Sequence, residues 1–221
     1  MIVDERIITF INSLDTKNSE ILEDIEREAL ADNVPIIRRE MQSSLKVLLM
    51  VKKPMRVLEV GTAVGFSALL MSEYVPEECA ITTIENYEKR IPIARQNFVR
   101  AGKEKKITLL EGDAMDVLKT LEGPYDFIFM DAAKGQYIHY LPEILRLLAK
   151  GGILVSDNVM QDGDVIESRF AVERRDRTIH ARMREYLYEL KHNDALVTSI
   201  IPLGDGVALS VKKEVGTDIA Q

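Results

Sequence analysis

Cysteine is nearly absent. Cys79 stands alone in 221 residues, so no disulfide can form within the chain, and a reducing compartment is expected. Histidine is scarce too: His139, His180 and His192 are scattered and make no ligand set. Long apolar runs are missing. No stretch approaches the ~20 apolar residues of a membrane span, and "MIVDERIITF" places acids where a signal peptide carries bases. A cytoplasmic protein with no membrane partner is therefore expected. There is no internal repeat and no low-complexity segment. Bases are outnumbered 29 to 36, giving a net charge of -7, which speaks against strong non-specific nucleic-acid binding by the chain as a whole. The 46% hydrophobic content excludes disorder and suits one domain over 1–221 with a sizeable core.

Two patterns divide that chain. Residues 4–50 read as helices: Ile7, Ile8, Ile11 and Leu14 recur at helical spacing, as do Ile21, Leu22, Ile25 and Ala29. This cap, residues 1–50, is acidic, with eight acids and three bases in its first 30 residues. From about residue 55 to 213, strands alternate with helices. "RVLEVGT", "AITTIE", "ITLLEGD", "YDFIFMDA" and "ILVSDN" read as strands. A helix is expected after each of the first four, the last of these, "YLPEILRLLAKGG", stopping at its glycines. A long charged helix is expected over about 164–191. "SIIPLGD" and "VALSVKK" are separated by too little chain for a crossover and must form a hairpin. The fold class is thus α/β: a Rossmann-like seven-stranded sheet, parallel with a C-terminal antiparallel hairpin and helices on both faces. Ligands of such sheets sit at the carboxyl ends of the strands.

Chemistry-bearing residues gather at those ends. In "EVGTAVGFS", Gly61 and Gly65 flank Ala63, which is not the G-x-G-x-x-G spacing of a dinucleotide loop. Glu59 is a poor neighbour for pyrophosphate and suits a cationic ligand such as an amino-acid ammonium. Glu85 ends the next strand, where an acid can hold both ribose hydroxyls. Asp113 in "EGDA" reads as a helix N-cap that can also accept from an adenine amino group, with the Ala114 backbone meeting the ring. Asp131 ends the fourth strand, and Asp157 and Asn158 end the fifth. Three oxygen ligands with no Cys or His nearby suit Mg²⁺ or Ca²⁺ and not zinc. Lys134 follows Asp131 by one turn, near enough to act as a general base; taken alone it would be a surface lysine at a helix start.

In "LEVGTAVGFSA", Glu85, "GDA", "DAAK" and "DN", in that order, the chain resembles the metal-dependent class I O-methyltransferases, the family of catechol and caffeoyl-CoA methyltransferases. The resemblance covers nearly the whole chain. It implies S-adenosylmethionine as methyl donor, Asp131, Asp157 and Asn158 as Mg²⁺ ligands, and Lys134 as the base. It places Ile37 of "VPII" at a backbone contact to the methionine part and Ser67 at its carboxylate, and assigns Gly61, Thr62 and Gly65 to the donor loop. It also implies that the acidic N-terminal helices cover the donor or form the face of a homodimer. A non-catalytic adenosine-binding module would need neither the metal trio nor Lys134, and an NAD-dependent dehydrogenase is disfavoured by Glu59 and Ala63.

The acceptor is read from "ESRFAVERRDRTIHARMREY". Residues 167–185 hold six arginines and four acids. They form either a solvated helix with i,i+4 ion pairs or an anion-binding rim in which Arg169, Arg174, Arg175 and Arg177 meet phosphates. Phe170, Tyr186 and Tyr188 fit core packing better than base stacking. In this segment and in "IPLGDGVALSVKK" the chain is similar to the bacterial branch that methylates 5-hydroxyuridine at the tRNA wobble position, which implies the tRNA anticodon loop as partner and 5-methoxyuridine as product. The alternative acceptor is a catechol or an acyl-CoA phenol, the arginines then holding a CoA phosphate.

Overall fold

The computed structural model describes residues 3–214. Three helices lead: α1 (Glu5–Ser13), α2 (Glu20–Ala31) and α3 (Arg39–Lys52). Then β1 (Arg56–Val60), α4 (Phe66–Glu73), β2 (Ala80–Glu85), α5 (Ile91–Arg100), β3 (Ile107–Glu111), α6 (Ala114–Thr120), β4 (Tyr125–Met130), α7 (Tyr137–Leu147) and β5 (Leu148–Ser156) alternate. α8 (Arg177–His192), β6 (Leu196–Ile201) and β7 (Val207–Lys212) close the chain.

The seven strands form one sheet in the order β3-β2-β1-β4-β5-β7-β6. β1 to β5 pair in parallel, and β7 joins β5 and β6 antiparallel. Both faces are covered, so strand residues are apolar at successive positions. Val57, Phe127 and Phe129 pack with Leu22, Leu45, Leu69 and Phe98 on one side. Leu58, Ile128 and Met130 pack with Leu118, Ile144, Met183 and Tyr186 on the other. β1 lies between β2 and β4, so the chain order reverses there and a crevice opens beyond Val60 and Met130.

Two expected elements differ. The glycines taken as a helix stop lie inside β5: Gly151 has φ +67° and pairing with β4 slips between Tyr125 and Phe127. The helix ends at Leu147, because Leu148 is already extended (φ -72°, ψ 127°). The helix expected over 164–191 begins only at Arg177. Gln161, Asp162 and Gly163 are left-handed and break the chain. Between Ile166 and Asp176 only Val172 is buried, whereas from His180 onward Met183, Tyr186, Leu187 and Leu190 supply a buried stripe. Without an apolar face, a helix over 167–176 has nothing to pack on.

Candidate active site

A cleft of about 800 Å³ opens at the carboxyl ends of β1, β2, β4 and β5. One half is built by the loops after β1 and β2. Gly61 has φ +105°, and a Cβ there would collide with the Asp131 carbonyl. The Gly61 and Thr62 amides both donate to the Ile84 carbonyl at 3.1 Å, tying the loop to β2. Glu85 lines the cleft. Its Oε2 accepts from the Ala63 amide at 2.8 Å, and its Oε1 from the Asn86 and Tyr87 amides at 3.0 and 2.8 Å. The carboxyl group is thus fixed in place by three amides, with its remaining lone pairs free for a ligand.

Glu59 is fully buried and stands behind the cleft wall. Ser67 Oγ donates to its Oε1 and Thr83 Oγ1 to its Oε2. Burial, helped by Asp131 and Glu85, pushes its carboxyl up to about 7 against the two hydroxyl bonds. Gly65 also lies behind the wall, where a Cβ would strike the Phe98 ring. Asp113 caps α6 by accepting from the Met115 amide at 2.9 Å, while its neighbours Gly112 and Ala114 reach the cleft. Ile37, Thr62 and Ser67 line it directly; the Ile37 carbonyl accepts from Gln42 Nε2 at 3.0 Å.

The other half carries the acid and the amine. Lys134 Nζ lies 2.7 Å from Asp131 Oδ1, 3.3 Å from Asn158 Oδ1 and 3.2 Å from the Tyr137 hydroxyl. Tyr137 is fully buried, and its hydroxyl lies 3.0 Å from the Met130 carbonyl and 3.2 Å from that of Asp157. Asn158 is left-handed (φ 54°), and its amide donates to Asp157 Oδ1 at 2.8 Å. Burial, then the nearby Asp131, raises the Asp157 carboxyl to about 7. The donor set is all oxygen, and two of its members, Asp131 Oδ1 and Asn158 Oδ1, already meet at one amine, Lys134 Nζ. Its chemistry fits a hard divalent ion that keeps water or substrate oxygens. It holds two acids and an amide; among the described residues no group of three or more His, Cys, Asp or Glu is placed to hold a metal.

Several cleft residues escape the sequence reading: Arg38, Arg90, Tyr140, Gln161, Asp162 and Asp205. Asp205 sits in the β6–β7 turn, and because β7 runs against β5 that turn falls on the same sheet edge as Asp157. The hairpin topology was therefore the available signal. The turn pins the loop after Asn158: the Val159 amide donates to the Gly206 carbonyl and the Met160 amide to the Asp205 carbonyl, both at 2.9 Å. The Asp162 amide donates to Asp205 Oδ1 at 2.5 Å.

None of the four candidate phosphate-binding arginines lines the cleft. Arg175 pairs with Glu173 (3.0 Å) and Asp176 (3.4 Å), and Arg177 Nε donates to the Val172 carbonyl at 3.2 Å. Arg169 and Arg174 are exposed. Phe170 is 87% exposed, Tyr188 stacks on His192, and Tyr186 is core, bonded to Ser156 Oγ at 2.6 Å. His139 is exposed.

A family model described as O-methyltransferase matches residues 12–213. The chain belongs to the O-methyltransferase family. Within that family it is similar to a catechol O-methyltransferase of Niastella koreensis, 35% identical over 127 residues, 56% of this chain and 58% of the relative. A catechol O-methyltransferase of Mycobacterium tuberculosis is 36% identical over 112 residues, half of each chain (50% and 51%). The chain thus spans a little over half the length of these O-methyltransferases. Caffeoyl-CoA O-methyltransferase 2 of Populus trichocarpa is 32% identical over 182 residues, 75% of this chain and 70% of the relative. An SAH-bound methyltransferase of Podospora anserina has the same fold, with a TM-score of 0.86 at 27% identity over 95% of each chain. No helix among the described residues is long and apolar enough to cross a membrane.

Proposed function

We propose that the protein transfers the methyl group of S-adenosylmethionine to a hydroxyl that has a second oxygen beside it, with Mg²⁺ or another divalent cation at Asp131, Asp157 and Asn158. The observation that carries this reading is the meeting of Lys134 with Asp131 and Asn158 in the cleft that Glu85 and Ser67 also line. Glu85 would hold the ribose hydroxyls of the donor, and Thr62 and Ser67 its methionine end. Bound in that trio, a divalent ion supplies charge stabilisation for the acceptor oxygen. Lys134 Nζ, oriented by Asp131 and Tyr137, takes the hydroxyl proton. The acceptor oxygen then attacks the sulfonium methyl in line, the sulfur–methyl bond breaks, and S-adenosylhomocysteine leaves as a neutral thioether. Holding the two reactants in contact supplies much of the acceleration.

The proposed acceptor is 5-hydroxyuridine at the wobble position of tRNA, whose vicinal hydroxyl and carbonyl form a catechol-like chelate and whose loop position lets the base splay into a pocket. Two features support it. The 167–176 segment borders the cleft through Asp176, and its Arg169 and Arg174 side chains have no hydrogen bond or ion pair among the described residues. The second reading, a small catechol or acyl-CoA phenol, is favoured by the names of the relatives and by the acids Asp162, Asp164, Asp176 and Asp205 on the cleft wall. A homodimer is part of the proposal: α1 buries no residue, and Ile7, Phe10 and Leu14 are 53%, 64% and 68% exposed.

The test is methyl transfer from labelled S-adenosylmethionine, with and without EDTA, to tRNA from a strain lacking this gene and to a simple catechol. EDTA-sensitive label in 5-methoxyuridine is the expected result. Label in catechol alone would replace tRNA by the second reading, and label in neither would reject both acceptors.

A further inference from the structure

Complementary polar groups face one another, unbonded, where the N-terminal cap meets the C-terminal hairpin. Glu40 stands in the first turn of α3. It is 6% exposed, and its Oε1 is buried with no hydrogen-bond partner among the described residues. Opposite it lies the turn between β6 and β7. Gly204 and Asp205 are both buried there, and neither amide donates to an acceptor among the described residues. The gap between the two sides is small. A Cβ at Gly204 would stand 3.5 Å from Glu40 Oε1 and 3.6 Å from Arg38 Cδ. Arg38 adds a second unmade pair. Its side chain lines the cleft with no hydrogen bond or ion pair among the described residues. Burial pushes the Asp205 carboxyl up, and Arg38 is near enough to pull against it. Buried donors and acceptors seldom stay unpaired in a native structure. Here donors on one side of a seam face an acceptor on the other, and both are unused.

We infer that Arg38 and Glu40 of the cap and the 204–205 turn of the hairpin form a clasp that shuts over a bound ligand. The Glu40 carboxyl then accepts from the Gly204 or Asp205 amide, and the Arg38 guanidinium pairs with the Asp205 carboxyl. The ligand is the methyl donor, so the clasp rests on the donor proposed above. Pro35, Ile37 and Arg38 line the cleft from the cap, and Gly204 and Asp205 line it from the hairpin. Drawing the two sides together therefore narrows its mouth. A ligand that touches both walls gains contacts only in the closed arrangement, and that difference favours closure. Closure in turn shields the ligand from water and slows its escape. Gly204 is the spacer, since the absence of a Cβ leaves the approach clear.

Stopped-flow release of S-adenosylhomocysteine, with urea denaturation of the ligand-free chain beside it, tests the clasp. Glu40→Met deletes the acceptor without placing a new polar group in the seam. Glu40 does not line the cleft, so its loss reaches the ligand only through closure. Release is expected to quicken roughly tenfold, the size of one hydrogen bond to a charged group. The urea midpoint of the free chain should not fall, because Glu40 Oε1 has no partner to lose. Gly204→Ala leaves Glu40 and Arg38 in place. Its Cβ makes ordinary contact in the open seam and obstructs the closed one, so release should quicken by a similar factor. Release at the wild-type rate in either variant overturns the inference and leaves the methyl donor standing. So does a free-chain midpoint that falls in Glu40→Met, since that oxygen would then already be bonded. A wild type that does not bind S-adenosylhomocysteine removes the donor reading and the clasp with it.

Discussion

The two halves of the cleft are held still by different means. In the donor half the left-handed turns fall mostly on glycines, Gly61, Gly65 and Gly112, which adopt them without cost. Ala63 is the exception (φ 47°), and its amide is bonded to Glu85. In the acceptor half the left-handed residues are Asn158, Gln161 and Asp162 beside Gly163. Each non-glycine there costs about 1 kcal/mol, offset by the bonds that the β6–β7 turn makes to residues 159–162. The donor half is therefore a local structure made by its own loop sequence. The acceptor half is a tertiary structure, strained on its own and steadied by a hairpin about 40 residues later in the chain.

The largest effect should come from the chemistry of the acceptor half. Lys134→Met is expected to lower turnover by roughly 10²- to 10⁴-fold while calorimetry shows S-adenosylhomocysteine binding unchanged. Turnover near wild type would remove Lys134 from the proton transfer. Gly61→Ala attacks the seam between the halves. It places a side chain at φ +105° against the Asp131 carbonyl and should cost about 3 kcal/mol in urea denaturation. Gly102→Ala, with φ +62° but open space around it, should cost only about 1 kcal/mol.

Glu59 sharpens the comparison through pH. Its carboxyl rises from an ordinary 4.5 to about 7 on folding. Below about pH 4.5 both folded and unfolded chains hold the proton. Between about 4.5 and 7 only the folded chain does, so stability falls as pH rises through that window and levels off above it. The contribution is about 3 kcal/mol, and Glu59→Gln should flatten the curve of denaturation midpoint against pH by that amount. An unaltered slope would mean that Glu59 ionises as freely folded as unfolded. The smallest effect is expected at the rim: the double variant Arg169→Ala, Arg174→Ala should raise KM for tRNA by about three- to tenfold and leave turnover of a small catechol unchanged.

This division also explains what could be read in advance. The sheet, the hairpin and the convergence of Asp131, Lys134, Asp157 and Asn158 on one cleft were legible because apolar strand runs end in or just before these residues. Glu59 was read as an acid facing a cationic ligand and not as a residue behind the wall, since burial on one side of a strand end depends on what Ser67 and Thr83 bring from other elements. The 164–176 segment was misread as helix because its charges mimic a solvated helical face, and only burial, confined there to Val165 and Val172, separates the two. Arg38 and Asp205 reach the cleft from distant parts of the chain, and no local pattern announces such convergence.

The missing methyl group at position 61 has a bearing on how such a protein diversifies. A Cβ at Gly61 would strike the Asp131 carbonyl, so the loop after β1 and the end of β4 can change only together. The segment after Asn158 is fastened instead from the far hairpin, and on the proposed function its exchange would change the molecule that is modified. The stretch that begins at Asp131 cannot be remodelled without also adjusting the loop after β1. New acceptors should therefore arise by replacing the outer loops over an unchanged inner seam.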